Sequence, residues 1–238
     1  MISRLAIFAA AAVVLAACQP SDRAFNDRVR AYLLAHPEVL EEASQKLQAS
    51  AEAKAEAAQH RAEGNLPKLR SAIERDPRDF VANPSGGITV TEFYDYRCPH
   101  CAAMAPKIIA LIREHPDIRF VFKEMPIFGA TSEHAAYAAL AVKKAGGDYL
   151  GLYQAFMAAR PLDDASIDSL ALSKGAHKAD ITPGSASTTQ LTATSVLFDK
   201  LALDGTPGFV VGNQILTGED MAALQAAIDK ARAEHTTA

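Results

Sequence analysis

Apolar and polar positions alternate with two different periods along this chain, and the change of period organises it. Behind Arg4, Leu5 to Ala17 is an almost unbroken apolar run. From there to residue 80 the spacing is helical: Phe25, Val29, Tyr32 and Leu33 recur every three or four positions, and Pro37 opens a second helix after His36. Residues 38–63 are Ala, Glu, Gln and Lys with Val39, Leu40 and Leu47, a composition that favours helix. These apolar side chains are too few to build a core alone, so the segment packs on the rest of the chain or pairs with copies of itself. A coiled-coil seam is not sustained, because Leu33, Leu40 and Leu47 are followed by Lys54 and Arg61 at the same spacing. Gly64 is expected to break the helix, residues 66–74 to resume it, and residues 77–87, rich in breakers, to form a linker.

From Ile88 the period drops to two. Ile88, Val90, Glu92 and Tyr94 share one face of a strand, and Thr89, Thr91 and Phe93 the other. Residues 98–115 read as a helix with Pro99 in its first turn, a kink at Pro106 and a stop at Pro116. Ile118, Phe120 and Phe122 alternate with Arg119, Val121 and Lys123 in a second strand, giving a parallel, right-handed strand–helix–strand unit. A helical block follows over about 132–204, with stops at Gly146-Gly147, Gly175 and Gly205 and a cap at Asp148. The segment 180–194 is so rich in Thr and Ser that an irregular stretch is expected there. Gly212-Asn213 marks a hairpin turn between Phe209–Val211 and Gln214–Leu216, and Met221, Leu224 and Ile228 mark a closing helix. The order is that of an α/β chain resembling the thioredoxin fold, with an inserted helical domain and an N-terminal helical extension.

Composition narrows the function. The 238 residues carry a formal charge of −4 with no basic block, which excludes nucleic acid as a natural partner. The 49% hydrophobic content is inflated by alanine and signals helix. Arg4 and the short apolar run read as a signal peptide over residues 1–17. Leu15-Ala16-Ala17-Cys18 resembles the lipobox of bacterial lipoproteins, which makes Cys18 a lipidation site and lipid the membrane anchor; the alternative is an ordinary signal cleaved nearby. Gln19 after the cysteine points to the outer membrane. The destination is then the periplasm, where cysteine pairs persist as disulfides.

Only three cysteines are present, and with Cys18 in the targeting segment one pair remains: Cys98-Pro99-His100-Cys101. It sits where a strand ends and a helix begins. The free N–H groups and positive dipole end of a helix N-terminus favour a thiolate at Cys98, the form that attacks a disulfide. Cys101, one turn further in, is the expected resolving thiol, and His100 adds charge or a hydrogen bond. Half a zinc site is the competing reading, but no second cysteine pair exists, and His60, His115, His134, His177 and His235 show no ligand spacing. A static structural disulfide is the other. No cofactor or metal is expected. Glu92, on an apolar strand face, is a proton carrier for Cys101 if buried and a solvated strand end otherwise; Lys123 and Glu124 are its expected partners. Thr206-Pro207 before an apolar run is a cis-proline loop or an ordinary trans turn.

Glu92-Phe93-Tyr94, then Cys98-Pro99-His100-Cys101, then Gly205-Thr206-Pro207 before a strand resemble, in order and spacing, the DsbA family of bacterial thiol–disulfide oxidoreductases. Residues 120–127 with Pro126, and the helix after them, resemble it too. The resemblance covers about residues 86–232. It implies Cys98 as nucleophile, Cys101 as resolving thiol, Glu92 as buried acid, and Thr206-Pro207 as a cis-proline loop binding unfolded exported proteins. It further implies a membrane redox partner, a DsbB-like oxidant or a DsbD-like reductant. Thr206 is similar to the isomerase branch. Residues 32–38 are similar to Com1-like and ScsC-like relatives, some of which form homo-oligomers through an extension, placed here over residues 18–80 before a catalytic domain at 86–234.

Overall fold

The computed structural model describes residues 21–236, and Cys18 with the targeting segment lies outside them. The chain divides between Glu56 and Ala57 into two compact units. The first holds α1 (Ser21–Ala35) and the start of α2 (Glu38–Glu74). Here the apolar positions stay open to solvent: Phe25, Tyr32, Leu34, Leu40 and Leu47 are each more than half exposed. No helix of the described residues is long and apolar enough to cross a membrane.

The second unit is built on five strands, β1 (Phe80–Ala82), β2 (Ile88–Tyr94), β3 (Ile118–Glu124), β4 (Gly208–Val211) and β5 (Gln214–Thr217), in the order β1-β3-β2-β4-β5. β2 and β3 run parallel, with Glu92 opposite Phe122 and Tyr94 opposite Glu124. The other three pairings are antiparallel. Between β2 and β3 runs α3 (Pro99–Glu114). Between β3 and β4 come α4 (Ala130–Lys144), α5 (Tyr149–Ala158), α6 (Asp164–Ser173) and α7 (Ser185–Lys200), and α8 (Met221–Thr236) closes the chain. This is a thioredoxin-like sheet with an inserted helical domain. The period-two alternation of β2 assigns each face its own core. Val90 and Tyr94 pack with Met104, Ile108, Phe120, Phe122, Tyr153 and Ile228. Phe93, on the other face, packs with Leu66, Ile73, Leu197, Phe198 and Val210.

Two expectations fail for a tertiary reason, and a third fails in part. α2 does not break at Gly64 but runs on through Gly64 and Pro67 to Glu74. Glycine and proline cost a helix interior about 1 and about 3 kcal/mol. Complete burial of Leu66 and Ile73 returns about 1.5–3 kcal/mol each, and the hydroxyl of Thr91 binds the Ile73 carbonyl. Residues 77–87 are more than a linker, since β1 pairs with β3 there. Gly86 permits this approach: a Cβ on it would lie 2.4 Å from the Arg119 nitrogen. Finally, the Thr- and Ser-rich stretch is regular helix from Ser185 on. Its hydroxyls are absorbed by the backbone, Thr189 donating to the Ser185 carbonyl and Thr192 to that of Thr188.

Candidate active site

Cys98 is the N-cap residue of α3, with extended backbone, and Pro99 occupies the first helical position, where its missing N–H costs nothing. The Cys98 amide donates to the Asp95 carbonyl, which folds the chain sharply between β2 and α3. Both cysteines are free thiols and both are buried. The Thr206–Pro207 peptide bond is cis. The Thr206 carbonyl lies 3.1 Å from the Cys98 sulfur, which donates to it as a thiol.

Electrostatics separates the two sulfurs. The Cys98 thiol is pulled down to about 5, first by the hydrogen bond from Cys101, against the opposing effect of burial. The Thr206 hydroxyl, buried without another partner, and the main-chain N–H groups of Cys101 and His100 add to the thiolate's stabilisation. Cys101 moves far above the ordinary thiol range, because burial, its hydrogen bond to Cys98 and the nearby Glu92 all oppose its charge. The Cys98 thiol thus ionises far more readily than the Cys101 thiol. His100 contributes through its backbone; its imidazole turns outward to Glu219, 3.3 Å away.

Glu92 is wholly buried, and burial pushes its carboxyl up to about 8. The expected partnership with Lys123 and Glu124 does not form. Lys123 points to the opposite face of the sheet and binds buried Asp79. Glu124 lies on the Glu92 face, where it raises rather than neutralises that carboxyl. The hydrogen-bond partner of Glu92 is the Tyr153 hydroxyl, 3.3 and 3.4 Å from its two oxygens.

Sequence reasoning missed three other groups. Buried Asp95 accepts from the amides of Arg97, Ile127 and Phe128 and from the Ser132 hydroxyl, tying the active-site turn to the loop after β3. Tyr149 and Tyr153, one turn apart on α5, each reach a buried carboxyl. Tyr96 joins Tyr94 and Tyr149 around Glu124. The available signal was a pair of tyrosines at i and i+4 in an otherwise apolar helix.

Comparison with known proteins agrees with this geometry. Residues 89–229 match the model of the DSBA-like thioredoxin domain, and residues 23–54 match that of the copper resistance protein ScsC N-terminal domain. The chain is 28% identical over 158 residues to the thiol:disulfide interchange protein DsbA of Bordetella parapertussis, covering 61% of this chain and 75% of that protein. A thioredoxin-like oxidoreductase from Silicibacter pomeroyi superposes with a TM-score of 0.64 at 32% identity, over 68% of this chain and 97% of the other. Proteus mirabilis ScsC in a transitional conformation gives 0.67 at 28% identity, over 92% of this chain and 99% of that one. The chain belongs to the DSBA-like thioredoxin domain family and is a thiol–disulfide oxidoreductase.

Proposed function

We propose that this enzyme is an exported oxidase that passes the Cys98–Cys101 disulfide to newly translocated, unfolded or partly folded proteins. A substrate thiolate attacks the Cys98 sulfur, and Cys101 leaves, taking a proton from Glu92. The polypeptide is then joined to Cys98 in a mixed disulfide, lying along the Thr206-Pro207 loop. A second substrate thiolate attacks the substrate sulfur of that bond and releases Cys98 as a thiolate. A membrane partner of the DsbB-like, quinone-linked kind then takes two electrons from the dithiol.

The carrying observation is the Cys98 thiol held near 5. A thiolate stabilised to that extent favours the reduced form, which makes the disulfide an oxidant. Residues 1–17 act as a signal peptide and lipidated Cys18 anchors the protein to a periplasm-facing membrane. Trapping the redox state of Cys98 and Cys101 in cells tests the direction: a mostly oxidised pair is the expected result. Cys101→Ala is expected to accumulate mixed disulfides with substrates and Cys98→Ala to form none; equal trapping by both would overturn the roles.

A second reading has its own support: an oligomeric isomerase or reductase kept reduced by a DsbD-like donor. The exposed apolar residues of the first unit and the match of residues 23–54 to the ScsC N-terminal domain favour self-association there. A mostly reduced pair in cells, with loss of mass in light scattering when residues 21–56 are deleted, would select it.

A further inference from the structure

The register of β2 and β3 sets two buried carboxyls on one sheet face. Glu92 stands opposite Phe122 and Tyr94 opposite Glu124, so Glu92 and Glu124 are diagonal neighbours two residues apart. Both are buried. Helix α5 reads both at once: Tyr149 donates to Glu124 at 2.5 Å and Tyr153 lies 3.3 Å from Glu92. The groups facing Glu124 are Tyr94 from β2, Tyr96 and Asp95 from the turn after it, and Tyr149 from α5. Those facing Glu92 are Tyr153 from α5, Cys101 from α3 and Glu124 itself. Across β4 its neighbour is apolar Phe209. Among the described residues no Lys or Arg pairs with either carboxyl, so charge on one is felt by the other.

The donors are unequally shared. Glu124 has three tyrosine hydroxyls on one oxygen, at 2.5, 2.8 and 3.2 Å, while Glu92 has one hydroxyl at long range. Hydrogen bonds to a carboxylate favour its charged form, and two carboxyls sharing a dry site do not ionise together. Burial raises both carboxyls, each to about 8, and the second oxygen of Glu124 is buried without a partner. The three hydroxyls on its first oxygen make Glu124 the one whose charge raises Glu92.

We propose that Glu124 is a positioning residue for disulfide exchange, holding Glu92 protonated beside Cys101 so that Glu92 serves as the acid for this leaving sulfur. The inference rests on the role given to Glu92 above. The step balances: substrate thiolate, Cys98–Cys101 disulfide and Glu92 carboxylic acid give substrate–Cys98 disulfide, Cys101 thiol and Glu92 carboxylate. Its reverse, attack of Cys101 on the mixed disulfide, needs Glu92 ionised, so Glu124 sets the pH range over which Glu92 carries the proton in either direction.

The test follows the reverse step in the full-length protein. A glutathione mixed disulfide is formed on Cys98, and its release by Cys101 is timed across pH 5 to 10. Glu124→Gln is expected to move the pH midpoint of release down by about one unit, since the repelling charge is gone. Tyr149→Phe removes a donor from Glu124 and should move it down less, whereas Tyr153→Phe removes the donor of Glu92 and should move it up. General loosening of the core does not produce opposite signs from two residues on one helix. Same-sign shifts, or an unmoved midpoint in Glu124→Gln, overturn the coupling. Glu92→Gln separates the two claims: if it leaves the profile of the parent protein intact, the role of Glu92 itself has failed.

Discussion

The Cys98 sulfur lies 3.1 Å from the main-chain oxygen of Thr206, a residue 108 positions further along the chain. Beside it the Thr206 hydroxyl is buried with no partner of its own. The carbonyl accepts from the Cys98 thiol, and the hydroxyl is among the groups that pull this thiol down.

This ordering of donors makes a prediction. Thiolate absorbance of the reduced protein should titrate near 5. Cys101→Ala should raise the midpoint most, because the Cys101 thiol is the largest stabilising contact, and Thr206→Val should raise it by about half a unit to one unit. An unmoved midpoint in both variants would show that the helix N-terminus acts alone.

The same depression makes stability depend on pH. A group with a lowered folded value binds fewer protons in the native state, so stability rises with pH between the folded and unfolded values. Relative to Cys98→Ser, the reduced protein should gain stability from about pH 5 upward and lose that advantage below it. Urea unfolding of both proteins across pH 4 to 9 checks the sign.

The second half of α2 belongs to the core. Leu66→Ala and Ile73→Ala should each cost about 2–5 kcal/mol in denaturant unfolding, as buried apolar truncations do. Leu47→Ala, 73% exposed, should stay within about 0.5 kcal/mol in the monomer. Equal losses at all three positions would contradict the assignment of Leu66 and Ile73 to the sheet's second core.

Lys123 and Asp79 form a buried ion pair, which Gln190 approaches through Asp79. Removing one partner leaves a buried charge, so Lys123→Met should cost about 3–5 kcal/mol. Lys123→Met with Asp79→Leu should recover most of that loss, because an apolar pair of similar volume replaces the ion pair. A double variant no more stable than the single one would mean that the site cannot repack.

Asp95 anchors four donors with one carboxylate. Asp95→Ala leaves the Arg97, Ile127 and Phe128 amides and the Ser132 hydroxyl without this partner and should cost about 1–3 kcal/mol, and Asp95→Asn somewhat less. Hydrogen exchange should quicken at Ile127 and Phe128 while the centre of β2 stays protected, an outcome that distinguishes loss of the clasp from loss of the fold.

Much of the arrangement was legible in local pattern. The alternation of Ile88–Tyr94 and Ile118–Glu124, the Gly212-Asn213 turn and the stop at Gly146 are dictated by side-chain period and backbone freedom, and the structure follows them. Cys98 and Cys101 stood out because two thiols at that spacing on a strand-to-helix turn have few other uses. Pro207 was ambiguous, since cis and trans differ by less than local sequence can decide.

The local sequence by itself determined the strands, the hairpin, most of the helices and the reactive pair, all properties of neighbours within a few residues. Tertiary structure alone decided that α2 continues through Gly64, because Leu66 and Ile73 gain their burial from β2 and α7. It alone turned Lys123 to Asp79 and surrounded Glu124 with Tyr94, Tyr96 and Tyr149. A buried charge takes its protonation state from whatever surrounds it in three dimensions, and those surroundings come from residues dozens of positions away.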